Sequence, residues 1–183
     1  MIIGNKIILR EKKMDDARDD YAWEIDPELA NLDAVSPTTS TFSQYLSDYI
    51  DQLDSFLSIG HRFAVDTLAG KHIGNCCYYN ISETKGEAEL GIMIGDRDYW
   101  SRGYGTNAVA TLVNYIFCQT NLNRIYLKTL ESNTRAQKSF QKCDFTVYGH
   151  SVKNGFSFVL METRRNQWQK YSPIWNIRRC QRS

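Results

Sequence analysis

Residues 87–106 read EAELGIMIGDRDYWSRGYGT and decide the fold of this chain. Apolar residues alternate with others over residues 87–95 and predict a β-strand, because successive side chains of a strand point to opposite faces. After a glycine-rich turn, apolar residues recur at helical spacing and predict a helix from about Thr106 to Thr120. The apolar stripe of this helix is Ala108, Val109, Leu112, Val113, Ile116 and Phe117.

The turn at residues 100–105, WSRGYG, predicts a binding site for an anion. Gly103 and Gly105 have no Cβ, so the backbone can adopt positive φ and approach a ligand closely. The first amide N–H groups of a helix have no partner within it and lie at the positive end of its dipole, which suits a phosphate or pyrophosphate. Arg102 can add positive charge. The alternative is an ordinary strand-to-helix turn, because two glycines alone are weak evidence for a binding site. Two known phosphate-binding patterns are excluded: the P-loop pattern is absent, and the third glycine of the dinucleotide-binding pattern is replaced by Ala108.

The stretch YWSRGYGTNA at residues 99–108 resembles motif A of the GNAT acyltransferase superfamily. It is most similar to the branch of ribosomal-protein-alanine and spermidine acetyltransferases, which often read Y-W-G-K-G-Y-G/A-T-E-A. The resemblance implies acetyl-CoA as the acyl donor, with backbone N–H groups near Met93 and Ile94 donating to the thioester oxygen. The residues that it assigns to cofactor binding here are Met93, Ile94, Trp100, Ser101, Arg102, Gly103, Tyr104, Gly105 and Thr106.

A second stretch, NTRAQKSFQKCDF at residues 133–145, is similar to the family pattern N-x-x-[AS]-x-x-x-[YF]-x-K-x-G-F. By resemblance, Asn133 would bind the pantetheine arm or a water molecule near it, and Phe140 would pack against pantetheine. The alternative is that Asn133 only caps the helix that follows, because asparagine is a preferred N-cap.

The second motif departs from the family at two positions. The tyrosine that often returns a proton to the leaving thiolate is Phe140, and the glycine before the last phenylalanine is Asp144. The general acid is therefore left open. Another group serves, or none is needed, because a thiol with a pKa near 8.5 can depart as thiolate or take its proton from water.

Acyl transfer to an amine requires a base, because an amine with a pKa near 10.4 is mostly protonated at pH 7. The candidates are Glu89, Glu87 and Glu131, and Glu89 aligns with an acid that is frequent on this strand in the branch. Each of them could instead be a surface or ion-pairing residue. Because no Ser-His or Cys-His pair has usable context, we expect direct attack in a ternary complex rather than a covalent enzyme intermediate.

The bulk composition fits a single domain over residues 1–183, with residues 166–183 as a basic C-terminal extension. No apolar run approaches the length of a membrane span, and no signal peptide is recognisable, so we expect no membrane partner. Five cysteines are odd in number and lack metal-ligand spacing. Reduced thiols, a cytoplasmic location and no metal are the simplest expectations.

Charge is distributed unevenly along the chain. Residues 14–60 contain eleven acids against the single base Arg18, whereas six bases and no acid follow Glu162. Solvated helix faces are the plain interpretation, but the division also suits a polyanionic cofactor and a cationic acceptor. The basic tail lacks the interleaved aromatic residues of a nucleic-acid-binding surface, so we expect no nucleic acid. The C-terminal strands would leave a sheet edge at which a homodimer could form.

The predicted order of elements is β α α β β β α β α β β, a mixed α/β class with a mostly antiparallel sheet. It matches the GNAT fold, with six to seven strands and about four helices, in which the fourth and fifth strands splay and pantetheine lies between them. Pro27 is predicted to interrupt the first helix, and residues 29–40 are predicted as a loop. Thr41 with Gln44 predicts a capped helix start, and an apolar helical stripe follows from Phe42 to Leu57. Asn154-Gly155 predicts a hairpin turn between the last two strands. The alternative function is an acyl-CoA-binding module with little catalysis, which Phe140 and Asp144 keep open.

Overall fold

The computed structural model describes residues 1–55 and 60–171, whose strands form one eight-stranded sheet. The strands are β1 (Ile2–Ile3), β2 (Ile7–Arg10), β3 (Gly60–Thr67), β4 (His72–Ser82), β5 (Glu87–Ile94), β6 (Arg124–Leu130), β7 (Thr146–Lys153) and β8 (Phe156–Arg164). The helices are α1 (Ala17–Glu24), α2 (Pro27–Leu32), α3 (Phe42–Ser55), α4 (Tyr104–Gln119), α5 (Thr134–Gln141) and α6 (Arg165–Tyr171).

The sheet is antiparallel throughout except at one pair of strands. Its order is β1-β2-β3-β4-β5-β6-β8-β7, and only β5 and β6 run parallel, joined by the crossover helix α4. This confirms the prediction of a mixed α/β class with a mostly antiparallel sheet. The prediction missed β1, α2 and α6, so the described residues contain one more strand and two more helices than expected.

Strands β5 and β6 separate after a short paired stretch. They pair from Glu87 opposite Arg124 to Glu89 opposite Tyr126, while β5 continues to pair with β4 as far as Ile94. The second half of β5 therefore has one edge that faces a gap instead of a neighbouring strand. This is the splay that the family resemblance led us to expect.

Helix α4 packs on β1, β2, β4 and β5 and forms much of the core. Every residue of its predicted apolar stripe is buried, as are Ala88 and Leu90 on the facing side of β5. The helix begins at Tyr104, two residues earlier than predicted, because Gly103 takes the N-cap position with φ of +83°. Only glycine adopts that backbone conformation without strain.

The first part of the predicted loop at residues 29–40 is wrong, because it belongs to helix α2. Proline at the first helical position begins a helix instead of breaking one. Here the Asp26 carboxylate accepts hydrogen bonds from the N–H groups of Glu28 and Leu29 and caps that helix. The predicted cap of α3 is confirmed, since the Thr41 N–H donates to Gln44 Oε1 at 2.9 Å. Phe56 and Leu57, predicted to extend its stripe, lie outside the described residues.

The segment predicted as a C-terminal extension begins inside the fold. Helix α6 places Trp168 in the core. The guanidinium of Arg165 donates to the carbonyls of Thr120 at 2.8 Å and Leu122 at 2.5 Å, where the chain leaves α4. Residues 172–183 of the predicted extension lie outside the described residues.

The expectation of reduced cysteines holds at three described positions and is wrong at a fourth. Cys76, Cys77 and Cys143 carry free thiols. Cys118 is disulfide-bonded. The spacing of cysteines in the sequence gave no sign of this bond, because cysteine pairing depends on tertiary distance.

Candidate active site

A cavity of about 380 Å³ opens where β5 and β6 separate. Its walls come from β5, β6, the turn before α4, helix α5 and helix α2. The structure brings most of the predicted site residues to this one cavity. Those that line it are Glu89, Met93, Ile94, Trp100, Ser101, Gly103, Gly105, Thr106, Asn133 and Phe140.

Two predicted residues, Arg102 and Tyr104, do not line the cavity among the described residues. Lys6 Nζ donates to the Arg102 carbonyl at 3.0 Å and lies 5.5 Å from the centre of the Tyr104 ring. The Tyr104 ring also packs edge-on against Tyr99, with 4.9 Å between centroids. The Tyr104 side chain therefore packs against Lys6 and Tyr99 instead of lining the cavity.

The turn before α4 has the backbone geometry of an anion-binding loop. Ser101 and Gly103 both have positive φ, at +57° and +83°. The Asn107 N–H makes the bond to the Gly103 carbonyl, so the N–H groups of residues 104–106 precede the regular helical ladder. Such groups carry the positive end of the helix dipole. They are therefore available to an anion held against the turn.

Gly105 shows how close the turn comes to the end of β5. A Cβ built at this position would lie 3.5 Å from Ile94 Cγ1 and 4.0 Å from Ser139 Oγ. Any larger side chain would extend into the space between the turn, β5 and α5. The absence of a side chain at Gly105 thus keeps this part of the cavity open.

Trp100 ties the turn to the strand beneath it. Its indole N–H donates to the Ile94 carbonyl at 2.6 Å, and the Arg135 guanidinium lies 3.4 Å from the ring centre. Burial lowers the pKa of Arg135, and the nearby Arg97 lowers it further, against the attraction of Glu28. A guanidinium stays charged under such a shift, so Arg135 is a half-buried cation on the cavity wall.

The sequence analysis did not predict a row of cations along α5 and its C-cap. Arg135 and Lys138 on α5 and Lys142 at the C-cap all line the cavity. Lys142 is the lysine of the family pattern over residues 133–145. Their spacing of i, i+3 and i+7 puts them on one helix face, which is the signal that could have found them. On the same face, Ser139 Oγ lies 2.7 Å from Thr106 Oγ1 in the first turn of α4.

The two residues predicted to meet pantetheine both lie on the wall formed by α5. Asn133 caps that helix, since its Oδ1 accepts from the Ala136 N–H at 3.1 Å. The cap uses only the oxygen, so the two donors of the Asn133 amide are not part of it. Phe140 is buried and packs against Phe145, with 5.9 Å between ring centroids.

The opposite end of the cavity is acidic, and Glu89 lies there. Glu89 is only 6% exposed. It accepts a hydrogen bond from Asn80 Nδ2 at 2.9 Å and lies 3.4 Å from Lys128 Nζ. Burial and the negative charge of Glu89 raise the pKa of the adjacent Tyr79, so that phenol stays protonated. Asp33, at the end of α2, lines the same part of the cavity.

The other two candidate bases lie elsewhere. Glu87 is engaged by Arg124 Nη1 at 2.6 Å and does not contribute to the cavity wall among the described residues. Glu131 is exposed, 4.0 Å from His150 Nδ1, and lines a separate shallow depression. Of the three glutamates, Glu89 is thus the one positioned to act inside the cavity.

Replacements for the missing tyrosine are few among the neighbouring residues. Burial raises the pKa of Cys143 to about 12, and its Sγ donates to the Thr106 carbonyl at 3.3 Å. A thiol with that pKa is a poor acid for another thiolate. The Tyr148 ring lies against Arg124 instead of the cavity, and Ser139 is the one of these three that lines it.

The described ranges contain no group of three or more His, Cys, Asp or Glu residues arranged to hold a metal ion. Within the same ranges, no helix is both long and apolar enough to cross a membrane.

Comparison with known proteins gives consistent matches. A family model described as an acetyltransferase (GNAT) domain matches residues 6–146. An N-acetyltransferase of Bacillus licheniformis, p20, is 30% identical over 145 residues, covering 75% of this chain and 80% of that protein. A spermidine N(1)-acetyltransferase of Vibrio cholerae is 27% identical over 95 residues, covering 52% of this chain and 54% of that protein.

A solved structure shares the fold over nearly its whole length. The crystal structure of spermidine N-acetyltransferase from Vibrio cholerae, in complex with CoA and spermine, superposes with a TM-score of 0.79. The two sequences are 20% identical, and the superposition covers 89% of this chain and 98% of the Vibrio cholerae chain. At that identity the comparison establishes the fold.

Proposed function

This chain belongs to the GNAT acetyltransferase family and uses acetyl-CoA to acetylate amino groups, and we propose that its acceptor is a cationic primary amine attacked directly in a ternary complex. One observation carries the proposal. The gap between β5 and β6 connects an anion-binding turn at one end with the buried carboxylate Glu89 at the other. A polyanionic donor and a cationic acceptor can therefore meet in one cavity.

The residues present fit acetyl-CoA, which supplies an activated acyl thioester when bound. In the proposal, the N–H groups at the turn of Gly103 and Gly105 hold the diphosphate, supported by the hydroxyl of Thr106. The free edge of β5 at Met93 and Ile94 offers backbone groups to the pantetheine arm and to the thioester oxygen. The Asn133 amide and the Phe140 ring line the other side of that arm.

Glu89 is the proposed general base. One of its oxygens accepts a hydrogen bond from Asn80 Nδ2 at 2.9 Å, and the other lies 3.4 Å from Lys128 Nζ. The ion pair with Lys128 also fixes the orientation of the carboxylate. Transfer to Glu89, directly or through one water molecule, would leave the neutral amine that attack requires.

The acceptor is proposed to be a cation because two carboxylates, those of Asp33 and Glu89, line its end of the cavity. Lys128 offsets one of these charges. Two of the similar proteins are named as spermidine acetyltransferases, which supports a polyamine as the acceptor. Polyamines are therefore the first candidates, followed by protein N-termini and other small amines.

Phe140 leaves the departing thiolate without a tyrosine donor on α5. We propose that water returns this proton, because a thiolate is a good leaving group in its own right. Ser139 is near the phosphate-binding turn rather than the acidic end, as its contact with Thr106 shows. It is therefore better placed for the cofactor than for the reacting sulfur.

Thermal melts and turnover assays test the proposal. A ligand that binds only the native state raises the melting temperature, so acetyl-CoA should stabilise the protein, while ATP and NAD serve as controls. A panel of spermidine, spermine, peptide N-termini and aminoglycosides should then release free thiol above the rate of hydrolysis. Stabilisation without thiol release from any amine would favour the alternative, an acyl-CoA-binding module.

The remaining parts of the proposal concern the setting of the reaction. We propose one acetyltransferase domain in residues 1–183, acting in the cytoplasm, where fractionation would place it.

The edge strand β7 exposes Val147 and Val152. We propose that this edge pairs with the same edge of a second copy of the chain to form a homodimer. Light scattering on the purified protein measures the mass. The mass of a monomer at all concentrations would refute the proposed homodimer and leave the proposed activity unaffected.

A further inference from the structure

Two lysines, one on α5 and one at its C-cap, are not used by the reaction described so far. Lys138 and Lys142 lie on the cavity wall, and both side chains are exposed. They are four residues apart, about 6 Å along the helix axis, so both ammonium groups project from one face. Their long and flexible stems allow both to reach a single anion.

These two lysines lie directly beside the anion-binding turn. Ser139, between them in sequence, has its Oγ 2.7 Å from Thr106 Oγ1 and 4.0 Å from the position that a Cβ on Gly105 would occupy. Cys143, the residue after Lys142, bonds to the Thr106 carbonyl through its thiol. The lysine face of α5 and the N-terminus of α4 are therefore two sides of one corner of the cavity.

Neither lysine forms a salt bridge with any residue in the ranges 1–55 and 60–171. Other lysines near the cavity are engaged. Lys128 pairs with Glu89, and Lys6 donates to the Arg102 carbonyl and lies over the Tyr104 ring. Two uncompensated cations at the rim of an anion-binding corner favour a second anionic group of the same ligand.

CoA carries two separate anionic groups, the diphosphate and the ribose 3′-phosphate. We propose that Lys138 and Lys142 bind the 3′-phosphate, while the turn at residues 103–105 binds the diphosphate. The protein would thereby distinguish CoA from 3′-dephospho-CoA. This inference rests on the proposed function, since it concerns a further part of the same cofactor.

Arg102 is the alternative cation for this role, and its position argues against it. It follows Ser101 in the turn, but it does not line the cavity in the part of the chain that the structure describes. Arg135 does line the cavity, but its guanidinium stacks on Trp100 at 3.4 Å and helps to hold the turn. The two lysines combine access to the cavity with freedom from another task.

Calorimetric titration of CoA and of 3′-dephospho-CoA tests the inference without an acceptor or turnover. The wild-type protein should bind CoA at least about tenfold more tightly, because two charge-assisted hydrogen bonds are involved. The double variant Lys138→Gln, Lys142→Gln should reduce that ratio to nearly one and leave the affinity for dephospho-CoA unchanged. Lys153→Gln, at the exposed tip of the β7–β8 hairpin, makes a charge change of the same kind away from the cavity and should preserve the ratio.

The outcomes separate this inference from the proposed function. Failure of the wild type to bind CoA at all would remove the proposed function. Equal binding of CoA and dephospho-CoA by the wild type would overturn the inference alone. So would a double variant that loses affinity for both ligands equally, because the lysines would then act on the diphosphate. Loss of the ratio in Lys6→Gln or Arg102→Gln, but not in the double variant, would assign the 3′-phosphate to the other side of the turn.

Discussion

The substitution Glu89→Gln tests the centre of the proposed mechanism. It keeps the shape of the side chain and removes the charge that would accept the proton of the attacking amine. General bases typically contribute about 10²- to 10⁴-fold to a rate, so we expect kcat to fall by at least about a hundredfold at pH 7. The deficit should shrink at high pH, because an amine with a pKa near 10.4 then becomes neutral without help.

The cost in stability should be small by comparison. Lys128, the ionic partner of Glu89, is 47% exposed, so losing this pair costs at most about 1 kcal/mol. The hydrogen bond from Asn80 can be kept by the glutamine oxygen and weakens by about 1 kcal/mol at most when the acceptor loses its charge. A folded protein at 25 °C therefore remains for the assay, and a loss of rate reports on chemistry.

A matched control lies two residues away on the same strand. Glu87→Gln also removes a partly buried carboxylate, there one paired with Arg124 at 2.6 Å, but outside the cavity. Arg124 keeps its second partner Glu162, so this variant should lose stability while kcat stays within about threefold. Initial rates of thiol release between pH 6 and 10 would be compared for both variants. A Glu89→Gln profile parallel to that of the wild type, with little loss of kcat, would exclude Glu89 as the base.

Four further substitutions test other parts of the structure. Gly105→Val should weaken CoA binding at least about tenfold by filling the space before Ile94, measured by calorimetry, whereas Gly149→Val on β7 should not. Phe140→Tyr should change kcat by less than about threefold if the thiolate needs no acid, and a larger acceleration would show that proton return limits the rate. Arg165→Met should lower the free energy of unfolding by about 2 kcal/mol, since the carbonyls after α4 lose their donor, with kcat unchanged. Asp16→Asn should cost about 2 kcal/mol at pH 7. Burial raises the pKa of Asp16, but hydrogen bonds from Arg10 and from the Lys13 N–H outweigh burial and lower the pKa below the ordinary value of 3.8. The difference in stability from the wild type should therefore be complete above about pH 4 and should shrink as the pH falls further; urea titration at pH 7 and at several values below pH 4 measures this.

Elements with strong local signals were predictable from the sequence. The stripe of α4, the capping residues of α3 and the Asn154-Gly155 turn each depend on residues within a few positions of one another. Both turn residues have positive φ, at +52° and +79°, as a tight hairpin turn requires. The prediction that Pro27 interrupts a helix is wrong because proline also fits the first position of a helix, and the Asp26 cap before it marks that start.

Elements held by distant contacts were not predictable in the same way. Helix α6 has only seven residues and no clear period, and it is fixed by burial of Trp168 and by bonds from Arg165 to the end of α4. Isolated helices of that length are not stable in water. The disulfide of Cys118 is a similar case, because the sequence does not show which cysteines the fold brings close enough to bond.

The sequence by itself determined the strand, turn and helix around Gly103 and Gly105, and through its motifs the family and the donor. Tertiary structure decided the role of each charge near them. Glu87 and Glu89 are chemically alike and two residues apart, yet Arg124 engages one and the cavity surrounds the other. The reason is physical: periodicity and caps act within a turn or two of the chain. The environment of a charge depends on which distant residues the fold brings within a few ångströms.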